Sequence, residues 1–217
     1  MAKGAGLKLF FLHAACNYNR ARLYLLRHWL GERANISPSA DVWAGCLRMK
    51  GEGRVEIGPD CAIERGPFPF YLELDKGSLA GIGRGTWVRG KYRPNVITCF
   101  ENARVEVGEG SLLNGAIISA RELVSIGRKA VISWNTTIID SDLHRLDSQR
   151  EVRTAPVRIK DFVMIGAGAT VLPGVSIGSH SVIGAGSLVR SDIPDHAVAA
   201  GNPAVVVGEV GDRDECL

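Results

Sequence analysis

The chain has 217 residues, of which 46% are apolar, 23% charged and 6% aromatic, with 26 glycines and a net charge of +3. That mixture describes one folded domain, or one domain with an appendage, built on tight corners and aliphatic fillers rather than on a helical core. So small a charge, with no dense basic run, gives no ground for a nucleic-acid partner.

Residues 7–30, "LKLFFLHAACNYNRARLYLLRHWL", predict one or two helices, with Leu and aromatic residues at helical spacing, Arg20, Arg22 and Arg27 between them, and Gly31 as a stop. The run "LFFLHAAC" is too short to span a bilayer, and no small-residue cleavage site follows, so export is not expected. Two roles stay open for this segment: a helical cap over one end of the following domain, or an interfacial helix on an anionic membrane.

From residue 36 short Val and Ile runs alternate with Gly, Asp, Asn and Pro, with no helical stretch between them, which argues against a βαβ sheet. Ile159, Ile165, Val171, Ile177, Ile183 and Val189 recur at every sixth position, and the residues two places earlier are all small or β-branched. Ile126, Ile132 and Ile138 keep the same beat upstream, with weaker echoes at Ile57/Ile63, Ile82/Val88 and Val107/Leu113. Two inward residues in six make a short strand followed by a corner. Three such units make one triangular coil, so the expected fold is all-β, a parallel β-helix whose coils stabilise their neighbours. Gly166, Gly178 and Gly184 follow stacked residues, where a Cβ would hinder the turn. The expected organisation is an N-terminal helical segment at 1–35, a β-helix at 36–190 and a closing segment and tail at 191–217.

The beat stops at Ile138 and resumes at Ile159, which predicts a loop over 139–158 containing "DSDLHRLD". Long insertions in compact domains are commonly functional. His144 is the one histidine inside it, flanked by Asp140, Asp142 and Asp147. The five cysteines (Cys16, Cys46, Cys61, Cys99, Cys216) form no CxxC pair, so neither a disulfide framework nor a metal site is indicated, and a cytoplasmic protein with reduced thiols is the simple reading.

The block "VMIGAGATVLPGVSIGSHSVIGAGSLV", the closing phrase "DIPDHAVAAGNPAVVV" and the loop "DSDLH" resemble the hexapeptide-repeat acyltransferases, in particular their sugar O-acetyltransferase branch. The resemblance is good over 105–207, loose over 36–104 and absent before. It implies a left-handed β-helix, although crossovers between parallel strands are normally right-handed. It also implies a homotrimer, acetyl-CoA in the cleft between neighbouring β-helices, and a sugar acceptor entering from the opposite side.

By that resemblance His144 is the general base that takes a proton from the acceptor hydroxyl, a task suited to an imidazole near its ordinary pKa of about 6.5. Asp142 or Asp140 would orient its ring. Asn114 resembles the asparagine that contacts the acceptor, or is an ordinary corner residue. Trp134 would stack on a sugar face or make a trimer contact, and Asp140 is a further acceptor candidate. Gly166, Ala167, Ala185 and Gly186 match positions that hold acetyl-CoA through backbone groups. Met164 stands where many relatives carry Trp, and Arg190 could face a CoA phosphate. Where relatives carry Lys or Arg after "GNPA", this chain reads "VVV", which passes the phosphate contacts to Arg158, Lys160 or a neighbouring subunit.

The resulting expectation is an acetyl-CoA-dependent O-acetyltransferase acting on a saccharide or on a nucleotide- or lipid-linked sugar. Its expected location is the cytoplasm, with a peripheral contact at the inner membrane face if the N-terminal helix is interfacial. N-acylation of an amino sugar and a non-catalytic β-helix scaffold are the alternatives. A β-helical carbonic anhydrase is set aside, because only His144 and His180 are placed to approach a zinc ion.

Overall fold

The six-residue units close into a triangular prism with three parallel sheets as its faces. The computed structural model describes residues 18, 20, 21, 23–145, 148, 149 and 151–214; the reading of 1–17 as helix lies outside these residues, as do Asp147 and Cys216. The first and third faces hold seven strands each and the second holds nine. Among the described residues this makes seven coils, from Ala34–Ile36, Asp41–Val42 and Leu47–Gly51 to Ser176–Ile177, Val182–Ile183 and Leu188–Val189. The chain is a left-handed parallel β-helix with a short helical stretch near its start.

The interior consists of vertical ladders. On the first face Ile36, Ile57, Ile82, Val107, Ile126, Ile159 and Ile177 stand in register through all seven coils. On the third face the ladder is Leu72, Ile97, Ile118, Ile138, Val171 and Val189. Each such side chain is buried. Burial of this kind stabilises by about 1.5–3 kcal/mol per large aliphatic residue, before conformational entropy is counted. The ladders run through residues 36–104, where the periodicity in the sequence is weakest.

Both ends of the prism are covered. Helical residues 23–30 place Leu23 and Leu30 in the core, and Arg27 donates from Nη2 to the carbonyls of Ile36 (2.7 Å) and Ser37 (3.0 Å). At the far end Ala197–Gly201 extends the second face, and Ala204–Glu209 folds back on it antiparallel. No helix among the described residues is long and apolar enough to cross a membrane.

Candidate functional site

The loop leaves the prism between the third and first faces, after Thr137–Ile139 and before Val157–Ile159. Its base is fixed by one carboxylate. Asp140 is fully buried; its Oδ1 accepts from the N–H of Arg121 at 2.7 Å, and its Oδ2 accepts from those of Glu122 and Leu123, both at 2.8 Å. A buried charge persists when oriented donors replace its hydration, and here three backbone N–H groups do so. Asp140 is therefore a structural carboxylate. That removes it both as an acceptor contact and as the support of the His144 ring.

Beyond Asp140 the neck narrows. Ser141 and Thr154 face each other in an antiparallel bridge, and Ser141 Oγ accepts from the Leu143 N–H at 3.1 Å. The Asp142 N–H donates to the Arg153 carbonyl at 3.0 Å, and the His144 N–H donates to the Asp142 carbonyl at 2.7 Å. Leu143 takes a left-handed φ of 61°, and Arg121 donates from Nη2 to its carbonyl at 3.3 Å. Arg145 pairs with Glu151 at 2.7 Å across the loop. These contacts hold the backbone and leave the His144 and Asp142 side chains exposed. The two are joined through the main chain, with no hydrogen bond between imidazole and carboxylate among the described contacts.

A second group of residues lies on the edge between the second and third faces. Asn114 ends a second-face strand in register with Arg89. Trp134 follows the next strand of that face, 44% exposed, and Tyr92 meets it edge-to-face with ring centroids 5.3 Å apart. Below them Gly166-Ala167 and Ala185-Gly186 turn the same edge in coils six and seven, and the Gly186 N–H donates to the Ala167 carbonyl at 2.8 Å. A Cβ on Gly166 would lie 2.6 Å from the Ala185 nitrogen, so only glycine lets the two corners nest. The result is a strip of small side chains flanked by the partly exposed Met164.

Within one chain these two groups do not meet. Asn114, Trp134, Gly166, Ala167, Ala185 and Gly186 occupy the edge between the second and third faces. His144 and Asp142 lie on the next edge, and so does Arg190, which is exposed after the last third-face strand. Lys160 pairs with Asp195 at 3.0 Å, whereas Arg158 faces outward on the first face between two serines.

The third edge holds a ladder that sequence reasoning missed. His180 sits at a corner of the prism, yet its side chain is only 15% exposed. It stacks between Phe162 (4.7 Å) and His196 (4.8 Å), under the tail, whose Arg213 N–H donates to His180 Nδ1 at 2.9 Å. The signal was Phe162, His180 and His196 at equivalent corner positions, each with φ close to 60°. These two histidines and Asp212 offer ligand atoms within 4.8 Å of one another. The imidazole planes are within 3° of parallel, so their in-plane lone pairs do not converge on one point.

Similarities to known proteins agree with this geometry. The bacterial transferase hexapeptide family (six repeats) matches residues 156–191. Galactoside O-acetyltransferase of Escherichia coli strain K12 is 34% identical over 146 residues, spanning 65% of this chain and 70% of that one. The crystal structure of a maltose O-acetyltransferase from Clostridium difficile 630 aligns with a TM-score of 0.52 at 32% identity, over 63% of this chain and 71% of that one. A polysialic acid O-acetyltransferase shares the fold, with a TM-score of 0.68 at 21% identity over 83% of this chain and 87% of that one.

Proposed function

Since this chain belongs to the hexapeptide-repeat acyltransferases, in their sugar O-acetyltransferase branch, we propose that it moves an acetyl group from acetyl-CoA to a hydroxyl of a saccharide, free or linked to a nucleotide or lipid. The observation that carries the reading is the exposed imidazole of His144 on a loop whose backbone is locked by Asp140. A base for an alcohol must be fixed in position yet open to substrate, and the loop meets both needs.

In this reading His144 takes the hydroxyl proton as the oxygen attacks the thioester carbonyl, and returns it to the departing CoA sulfur. Asp142 supports the imidazolium electrostatically across the short turn. The small-residue strip at Ala167, Ala185 and Gly186 receives the pantetheine arm, with Met164 as its wall. Asn114 and Trp134 lie toward the acceptor. Loop and strip occupy different edges, so the loop of one chain serves the strip of its neighbour, as a homotrimer would arrange. Arg190 and Arg158 remain the candidates for CoA phosphates, because Lys160 is held by Asp195.

Tyr24, Leu25 and Trp29 are exposed on the helical stretch beside His28, which supports a peripheral contact at the inner membrane face and a lipid-linked acceptor. The test is CoA release from acetyl-CoA against a panel of sugars, amino sugars and nucleotide sugars. Product label lost to hydroxylamine marks an ester; label retained marks an amide, and no release with any sugar would sink the reading.

A further inference from the structure

We propose that the acceptor edge continues toward the N-terminal coils as a binding strip for an anionic oligosaccharide. The inference rests on the saccharide reading above and narrows it to acidic glycans. Its basis is the alternation of aromatic rings and cations along the edge between the second and third faces.

Arg89, in register beside Asn114, lies over Trp87 with its guanidinium carbon 4.7 Å from the ring centroid. Toward coil one Arg65 lies over Trp43 at 4.9 Å. Toward coil five Lys91 lies 5.2 Å over Tyr92, which in turn meets Trp134. A guanidinium placed over an indole face still has N–H groups free to meet a carboxylate. Exposed aromatic rings offer the apolar face that a pyranose ring covers with its C–H groups, and Trp87 (44%) and Tyr92 (51%) are open to solvent.

The charges favour an anion. Arg65, Lys91 and Arg93 make no ion pair among the described residues. Glu64 pairs with Arg89 Nε at 3.7 Å, and neither of those atoms has a hydrogen-bond partner, so Arg65, Lys91 and Arg93 carry the unbalanced charge. Asp41, at the far end, is the other carboxylate on the second face of these coils.

The strip is also built rather than loose. The corner at 90–94 arches over the short corner of coil four, and buried Asn95 pins it: Nδ2 donates to the Arg89 carbonyl at 2.8 Å, and Oδ1 accepts from the N–H groups of Gly115 (2.8 Å) and Ala116 (3.0 Å). From Trp43 in coil one to Trp134 in coil five the strip crosses four strand spacings, about 19 Å, which is the reach of an oligosaccharide.

The experiment is calorimetric titration of the full chain, without acetyl-CoA, using tetragalacturonate and its methyl ester, a neutral ligand with the same backbone. The acid should bind at least about tenfold more tightly than the ester, with the advantage shrinking as salt is added. The double variant Lys91→Ala/Arg93→Ala should erase the advantage, and Trp87→Ala should weaken both ligands. Equal affinity for acid and ester in the unmodified protein would overturn the proposal without any variant. So would a drop in assembly mass in either variant, which would give these side chains to a contact between copies. Equal affinity of the unmodified protein for acid and ester, alongside CoA release on neutral sugars, would remove only the strip; absence of CoA release with every sugar would remove the saccharide reading itself.

Discussion

Asp140 reaches back across one coil to the N–H of Leu123 at 2.8 Å, and the same carboxylate holds the N–H groups of Arg121 and Glu122. The residue that begins the loop is thus bonded to the corner above it. Asp140→Ala leaves three partly buried backbone donors without their acceptor, which should cost about 1–3 kcal/mol. Chemical denaturation measures this. Activity of the surviving folded protein should fall as well, because the loop loses its anchor. A variant as stable as the parent would show that water replaces the carboxylate.

The role of Asp140 shows where sequence reasoning stops. "DSDLH" offers two aspartates near a histidine, and nothing local separates them; the donors that claim Asp140 lie 17–19 residues earlier. The repeat was readable where coils are short. Ile57/Ile63, Ile82/Val88 and Val107/Leu113 keep the six-residue step between the first and second faces. Leu72 and Ile97 on the third face escaped it, because the longer corners at 64–69 and 90–94 break the beat before them. Those same corners carry Phe68 and Tyr92, so the segment hardest to read is the one on the edge proposed for the acceptor.

His144→Ala should lower turnover by about 10²–10⁴-fold, the range general-base catalysis contributes. Its side chain is exposed and makes no described side-chain hydrogen bond, so melting temperature and assembly mass should not move. The check is CoA release measured beside light scattering. Turnover within threefold of the parent would remove His144 from the proton transfer.

Two carboxylates on the edge between the first and second faces should contribute to the loss of stability in acid. Burial alone would raise the Asp161 carboxyl, but hydrogen bonds from the Arg128 side chain (2.7 Å) and backbone (2.7 Å) outweigh it and hold it below its ordinary value. Lys160 does the same for Asp195 at 3.0 Å, helped by the Ser179 N–H. Both are lowered in the folded state, so their contribution is fully present above the unfolded carboxylate value of about 3.9 and is lost as pH falls through the folded values. Asp161→Asn/Asp195→Asn should flatten the fall in stability between about pH 5 and pH 3. An unchanged slope in acid titrations of the melting temperature would place that loss on other groups.

Burial pushes the Cys99 thiol up to about 12, aided by the nearby charge of Asp140, and burial also raises Cys61. A thiol so placed carries almost no thiolate at neutral pH and is shielded from reagents. Iodoacetamide at pH 8 should leave both unmodified in the native protein and label both in denaturant, as peptide mass spectrometry will record. Rapid native labelling of Cys99 would mean that the third face opens in solution.

Gly166 and Gly186 turn the same edge, yet they should fail differently. A Cβ at Gly166 meets backbone atoms, the Ala185 nitrogen at 2.6 Å and the Ile183 oxygen at 2.8 Å, which cannot swing aside as a side chain would. Gly166→Ala should therefore cost about 2–3 kcal/mol, lowering the melting temperature by about 5–10 °C for a chain of this size. At Gly186 nothing lies within 4 Å of an added Cβ, and the only demand is a left-handed φ of 69°, which Asn tolerates. Gly186→Asn should leave the melting temperature within about 4 °C of the parent. Its side chain would nevertheless stand in the strip proposed for pantetheine, so the KM for acetyl-CoA should rise about tenfold, a loss of about 1.4 kcal/mol in binding. A KM unchanged in Gly186→Asn would move the donor off this edge.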